Sequence, residues 1–510
     1  MAIRLRSTRV SLFLKSGTTI LAALLLSLLL VPDSRAQSSG STKWLATFDG
    51  TGASNGGNGA SFDAIAADPQ GNVYVTGGAA VSFNYCPPPV SCSQAVTIKY
   101  NSSGKALWKD WLSAENAFGS PLGTNGAVAQ GIAIALDSSG NTYVLFKYTR
   151  ARTAATGPDV YVPEVVVAKY NPAGGRDWIE FIDSSRQIGV TRTPVGMAIS
   201  PAGDVYVLYE EDTSTNTSTV SDTVTVKYDT AGHFIWSQTI KDDTSNRPTA
   251  IALDAHENIY VEVGTNVSGE IAKFNASGTR VATIGRGQIG GAGNSGFPPA
   301  FHVDPDGACY FTGFAAAPPT PTSPGADSIV AKFNPDGSLA FAFDVTQQEG
   351  IGGFQAPLTG PNGGIGPITS DSAGNTFVLQ RFDNTGTPHF DGNVISVLKL
   401  DPSGKEVFAT RYNQNSDESG RDRPIALAVS SSGDVYVTGS NQPEFPAAEI
   451  DFVTLKYNNA GVLQWVEQYT NSAQDAAPAA MALSGETLAV TGTQSGTGVV
   501  PAGVTISYVP

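Results

Sequence analysis

Two short modules alternate along this chain, and each has the form of a β-hairpin. The first reads "AIAADPQGNVYVTGG" at 64–78, "AIALDSSGNTYVLF" at 133–146 and "GMAISPAGDVYVLY" at 196–209, and it returns at 250–263, 300–313, 367–380, 426–439 and 480–492. The second reads "VTIKYNSSGKALWKDWL" at 96–112 and "VVVAKYNPAGGRDWIEF" at 165–181, then recurs at 223–239, 270–285, 328–344, 394–412 and 452–469. Alternating residues such as Val73/Val75 and Val224/Val226 give the two-residue period of a strand. The turns "NPDG", "DPSG" and "DSSG" carry their own chemistry. Asn or Asp bonds back to its own turn, Pro presets φ at the next position, and Gly takes the left-handed residue that closes the hairpin. Two hairpins in succession form a four-stranded antiparallel unit, repeating every 50 to 69 residues. A period of that size holding only strands predicts one blade of a β-propeller per repeat.

The first module occurs eight times and the second seven, and the chain ends in "GVTISYVP", a single strand matching "VTIKY". The missing partner is at the other end. Gly104–Trp108, Gly174–Trp178, Gly232–Trp236 and Gly461–Trp465 are each four apart, and Gly40–Trp44 in "GSTKWLATFDG" keeps that spacing. The expected fold is therefore all-β: an eight-bladed β-propeller of four-stranded antiparallel blades, its ring closed by the N-terminal strand pairing in the last blade. Residues 40–49 complete that blade within a single domain spanning 37–510. Closure of this kind removes two exposed sheet edges. All six tryptophans fall in the outermost strand, where a fixed offset suits packing between adjacent blades.

The module "D-x-x-G-N-x-Y-V-T-G" followed by "V-x-K-Y-N-x-x-G-x-x-x-W" resembles the bacterial SBBP-type β-propeller repeat family over nearly all of residues 40–510. The resemblance implies an exported or surface propeller and is poor in information about activity. The last repeat departs from it, since "ALSGETLAV" lacks the Asp turn and Ser507 replaces the usual Lys; terminal repeats are commonly atypical.

Residues 1–36 read as a cleaved signal peptide: Arg4, Arg6, Arg9 and Lys15, then "TTILAALLLSLLLV", then "SRA" ending at Ala36. The apolar run is short for a membrane anchor, so no membrane span is expected. Localisation is expected to be secreted, periplasmic or at the cell surface. Without residues 1–36 the chain has 25 basic and 44 acidic residues, a net charge of −19. That sign argues against nucleic acid, whose phosphates need a basic face. Cys86 and Cys92 bracket "PPPVS" in one connection and are expected to form a disulfide in an oxidising compartment. Cys309 is expected to be a small buried strand residue.

In each repeat the first and third turns are tight, whereas the second and fourth connections are long and variable, as at 79–95, 113–130, 149–164, 210–222 and 346–366. Long connections on a rigid scaffold are where binding concentrates. Arg150, Arg152, Arg186, Arg192, Arg247, Arg421 and Arg423 fall on that side with Glu210 and Glu211, and they are the candidate ligand-binding residues. No catalytic constellation is expected. The four histidines are scattered, no metal-ligand spacing occurs, and "GRGQIG" (285–290) opens no helix as a dinucleotide site would. Lysines recurring before the aromatic of the third strand, from Lys99 to Lys456, are expected to meet a carbonyl or carboxylate on a neighbouring blade. The reading is a monomeric, non-catalytic binding or scaffold protein for a protein or glycan partner. The alternative is a carbohydrate-active enzyme or quinoprotein-like dehydrogenase on the same fold. No cofactor is called for, and the sequence leaves calcium and a quinone open.

Overall fold

The computed structural model describes residues 42–51, 59–80, 93–112, 128–152, 160–182, 190–214, 219–241, 247–264, 269–285, 300–316, 326–345, 364–383, 393–412, 421–442, 450–471, 475–496 and 499–510. All of them belong to the unit Ser38–Pro510. They form strands grouped in antiparallel fours, with no α-helix among the described residues. β1 is Thr42–Phe48. The first quartet is β2 to β5 (Ala60–Ala67, Val73–Ala80, Ser93–Tyr100, Ala106–Leu112), the second β6 to β9 (Val128–Leu136, Thr142–Arg152, Val160–Tyr170, Arg176–Ile182). The third is β10 to β13 (Val190–Ile199, Val205–Ser214, Thr219–Tyr228, Phe234–Ile240), the fourth β14 to β17 (Arg247–Leu253, Ile259–Gly264, Gly269–Phe274, Arg280–Ile284). The fifth is β18 to β21 (Phe301–Val303, Cys309–Ala316, Ala326–Phe333, Leu339–Asp344), the sixth β22 to β25 (Gly364–Ser370, Thr376–Asp383, Asn393–Leu400, Glu406–Tyr412). The seventh is β26 to β29 (Arg421–Val429, Val435–Gln442, Asp451–Tyr457, Leu463–Tyr469). The eighth is β30 to β32 (Asp475–Ser484, Thr487–Gly496, Val499–Tyr508) together with β1.

That last quartet joins the two ends of the described chain. β1 runs antiparallel to β32, from Trp44 opposite Ser507 to Phe48 opposite Gly503. Elsewhere the strand order follows the sequence, and single parallel bridges, Ser93 to Val128 and Asn393 to Arg421, link the first quartet to the second and the sixth to the seventh. The innermost strands carry a recurrent bulge, between Phe62 and Ala64, Pro194 and Gly196, or Pro424 and Ala426. It increases local twist at the same register in successive quartets.

The tight turns hold as their sequence requires. Asp68 accepts the backbone N–H of Gln70 (3.1 Å) and Asn72 (2.8 Å) on one oxygen, and the Asn72 amide (2.7 Å) and Tyr74 hydroxyl (3.0 Å) on the other. Asp137 and Asp254 repeat that set with Asn141/Tyr143 and Asn258/Tyr260. The turn glycine also makes room for its neighbour. A Cβ on Gly104 would come within 2.8 Å of the Trp44 indole, one on Gly174 within 2.5 Å of Trp108, and one on Gly404 within 2.5 Å of Phe341. In most quartets the aromatic of the fourth strand thus lies on a turn glycine of the next quartet, as Trp178 on Gly232, Trp236 on Gly278 and Phe408 on Gly461 also do, whereas Gly337 meets Ile284.

The buried apolar residues sort into clusters that each straddle two quartets. Val144 and Phe146 of the second pack with Ala95 and Leu112 of the first, and Tyr143 and Leu145 of the second with Val207 and Val224 of the third. The same pattern links third to fourth, fourth to fifth, fifth to sixth, sixth to seventh and seventh to eighth. Trp44 and Ala489 of the eighth quartet share a cluster with Phe62, Val73 and Val75 of the first.

Candidate functional site

Tight turns join the first strand to the second and, in the first seven quartets, the third to the fourth. Connections of variable length fall at the other end, with two residues between β31 and β32 and fifteen between β5 and β6. Two connections expected to be long loops prove to be largely strand. In the second quartet, β7 and β8 stay paired out to Arg152 opposite Val160, so 149–164 is mostly ladder. In the third, β11 and β12 stay paired out to Ser214 opposite Thr219, so 210–222 is too. Past Tyr209 the third-quartet ladder leaves the apolar core, and Glu210, Glu211 and Asp212 follow one another on β11.

Strand alternation sends these carboxylates to two faces. On one, Arg192 of β10, Glu211 of β11 and Asp222 of β12 stand abreast in the ladder. Arg192 is buried and its Nε donates to Glu211 at 2.8 Å. On the other, Glu210 lies 3.6 Å from the exposed Arg247 of the fourth quartet, and Ser221 donates to Asp212. Burial and then the Asp212 charge raise the Glu210 pKa, against the pull of Arg247. Among the described residues the arrangement is acid-rich, with Arg192 buried and Arg247 exposed. Arg423 is exposed on β26; Arg150 and Arg152 lie in β7 and Arg421 begins β26, with side chains outside the described residues. Arg186, Cys86 and Cys92 lie wholly outside them.

The recurring lysines reach across to adjacent quartets as expected from the repeat. Lys99 donates to the Pro172 carbonyl (3.3 Å), Lys169 to Thr230 (3.0 Å), Lys273 to Pro335 (3.0 Å) and Lys399 to Asn459 (3.3 Å). Lys227 meets Asp204 within its own quartet (2.8 Å) and also Glu257 of the fourth (3.9 Å), whereas Lys456 meets Asp434 within its own (3.2 Å). Each of the two also lies over a tyrosine ring, Tyr206 and Tyr436. Cys309 is a free, buried thiol in β19.

One cluster was not anticipated. His302 of β18 has its Nε2 3.0 Å from Ser370 Oγ, at the end of β22 in the sixth quartet, and 3.3 Å from Asp304. Ser370 also donates to Asp304, as does the Tyr310 hydroxyl (2.6 Å). Burial pushes the Asp304 carboxyl up, but the bonds from His302, Ser370 and Tyr310 outweigh it and hold the group below the usual carboxylate range. The residue types are those of a nucleophile triad; the wiring is not. In a triad the carboxylate holds the imidazole nitrogen remote from the serine, whereas here one nitrogen faces both serine and carboxylate, and the serine proton is already directed at Asp304. The signal was in the repeat: His302 stands where Ala66, Ala135, Ala198 and Ala252 stand, and Ser370 where Leu136, Ile199, Leu253 and Val303 stand. Among the described residues no group of three or more His, Cys, Asp or Glu could hold a metal ion, and no helix is long and apolar enough to cross a membrane.

No protein-family model matches the chain, and no curated protein matches it. Among solved structures it is similar to the WD40 domain of SCAP from fission yeast, at 9% identity and a TM-score of 0.44, over 89% of this chain and 96% of that one. It is similar to the polysaccharide lyase Uly1 at 11% identity and 0.39, over 74% and 89%. A variant of the Synechocystis apocarotenoid oxygenase gives 11% and 0.38, over 85% and 97%. With scores below 0.5, neither architecture nor activity passes from these proteins to this chain.

Proposed function

We propose that this chain is an exported, SBBP-type, eight-bladed β-propeller that acts as a non-catalytic binding or scaffold protein. The closed circuit is supported by the core cluster shared between the eighth and first quartets and by Trp44 lying on Gly104. The partner, a protein or glycan, is engaged at the long-connection end. The observation that carries this reading is the third-quartet hairpin, whose ladder continues to Ser214 and Thr219 beyond the last buried apolar residue of β11. Ordering those residues costs about 1–2 kcal/mol each in backbone entropy, and on β11 the return is partial: Glu210, Glu211 and Asp212 are half-buried, Thr213 and Ser214 exposed. An acid-rich extension of this kind suits recognition better than stability. The His302 cluster, with its serine proton committed to Asp304, supports the non-catalytic reading.

The test replaces 211–221 with a two-residue Asn-Gly turn and carries Arg192→Thr with it, because the buried Arg192 would otherwise lose Glu211. The variant keeps the melting temperature of the parent to within a few degrees and loses binding on a glycan array and to candidate surface proteins. Retained binding, or turnover of any bound glycan or of substrate with quinone and calcium, overturns the reading.

A further inference from the structure

The buried face between the fourth and fifth quartets contains a carboxyl group with no counterpart in the other quartets. Glu262 of β15 is fully buried. It pairs with Ala250, the first residue past the innermost-strand bulge. The residues at the same register elsewhere are Thr76, Thr438 and Thr491, or Leu145 and Leu208. All of these are uncharged. Strand alternation puts Glu262 on the side of Tyr260, which joins the cluster with Cys309 and Phe333 of the fifth quartet, while Val261 and Val263 face the third.

The carboxyl is only half satisfied. Thr249 donates to Oε2 at 2.7 Å, and Oε1 is buried with no hydrogen-bond partner among the described residues. The other ionisable groups around it are engaged elsewhere. Glu270 of β16 holds Arg280 of β17 at 3.0 Å, Lys273 reaches the Pro335 carbonyl, and Tyr260 bonds Asp254. Across the boundary, burial pushes the Cys309 thiol up to about 12, and Asp304 and Asp306 belong to the tight turn. Among the described residues no cation is placed to neutralise Glu262, and an unpaired buried carboxylate is far costlier than the acid.

We propose that the boundary between the fourth and fifth quartets is a pH-sensitive joint, closed while Glu262 carries its proton and loosened as that proton is lost. Burial raises the Glu262 pKa to about 8, against the Thr249 hydroxyl, from an ordinary 4.5. The folded value lies above the unfolded one. Its contribution is therefore fully present below about pH 4.5, declines as the unfolded chain alone releases the proton, and is exhausted above about pH 8. The packing here gives the proton leverage. Ala282 occupies the register held by Trp108, Trp236 and Trp465 in other quartets, and the glycine of the next turn, Gly337, meets Ile284 (3.3 Å) in place of an aromatic ring.

Hydrogen exchange by mass spectrometry on the full chain, corrected for intrinsic rates, tests the joint from pH 5 to 9. In the wild type the opening constant of segments 259–274 and 309–333 rises up to tenfold per pH unit as far as pH 8, then levels. Glu262→Gln flattens that rise, and Glu262→Thr, carrying the residue native to this register in other quartets, does so in a second background. A rise of equal slope in either folded variant overturns the proposal, and so does a wild-type rise shared by the segments 73–100 and 435–457.

Discussion

Two boundaries in this molecule are built from the same parts with different success. Between the eighth and first quartets, linked by the chain from β1 to β2, the Trp44 indole covers Gly104 and packs with Phe62, Val73 and Val75. Between the fourth and fifth, linked by the chain from β17 to β18, the aromatic is replaced by Ala282 and a buried carboxyl stands where others have threonine or leucine. The contrast teaches that covalent continuity does not set packing quality: the chain crosses both boundaries, and only the side chains differ. The join between chain ends lies inside the eighth quartet, where no loop holds β1 to β32, and the cluster around Trp44 adds side-chain packing to that ladder.

The most drastic way to break the comparison is to remove β1. Deleting residues 42–48 uncovers the β32 edge and strips Trp44 from the cluster with Phe62, so the protein should lose its cooperative melt and aggregate. Calorimetry with size-exclusion chromatography reads this directly; a monomeric melt at the parent temperature would show that β1 is an ornament. A milder version exploits the turn glycines. Gly104→Ala strains a residue at φ +79° and drives a methyl into the indole, and should cost about 2–5 kcal/mol. Gly337→Ala at φ +84° meets only Ile284, 3.3 Å away, and should cost about 1–2 kcal/mol. Urea denaturation that gives equal losses would remove the distinction between the two boundaries.

These glycines also mark what the sequence could and could not disclose. The repeat announced the strands, the tight turns, the pairing of the N-terminal strand with the last and the packing use of Trp44, Trp108 and Trp178, because each depends on residues recurring at fixed spacing. It did not disclose that 210–214 and 219–222 are ladder, since the polar run "EEDTSTNTSTVSD" lacks the apolar alternation by which strands are read. Nor did it single out Glu262, His302 or Ser370. The features that make a repeat legible are shared by its copies, and these residues matter by departing from them; only comparison of the copies position by position exposes the difference. The arginines proposed for binding illustrate the converse. Arg192 was visible as a charge in a long connection, but its burial against Glu211 follows from the extended pairing of β10 with β11, which the sequence did not announce.

A constructive change should sharpen the contrast from the weak side. Ala282→Trp restores the residue type that faces lysine at this register in the first, third and seventh quartets, where Lys99, Lys227 and Lys456 oppose Trp108, Trp236 and Trp465. Lys273 already opposes Ala282. Filling the place should raise stability by about 1 kcal/mol through added apolar burial, read as a rise in the urea midpoint at unchanged slope. A loss would mean that Ile284 has taken the ring's volume completely.

The smallest effect is expected at the boundary between the fifth and sixth quartets, where His302 and Ser370 replace an alanine facing a larger apolar residue. A hydrogen-bonded pair and an apolar pair can fill one site at similar free energy, because removing both polar partners leaves neither unsatisfied. The joint change His302→Ala with Ser370→Val should accordingly shift stability by less than about 1 kcal/mol. Ser370→Val alone should cost about 1–2 kcal/mol, because half-buried His302 and Asp304 then lose the hydroxyl that joins them. Asp304 keeps the Tyr310 bond in every variant but loses its contacts with both residues in the joint change, so the coupling read from the double-mutant cycle reports on the three groups together. A coupling near zero would mean that the two residues merely share a boundary. A joint change costing several kcal/mol would mean that this polar cluster, rather than apolar packing, holds the fifth quartet to the sixth.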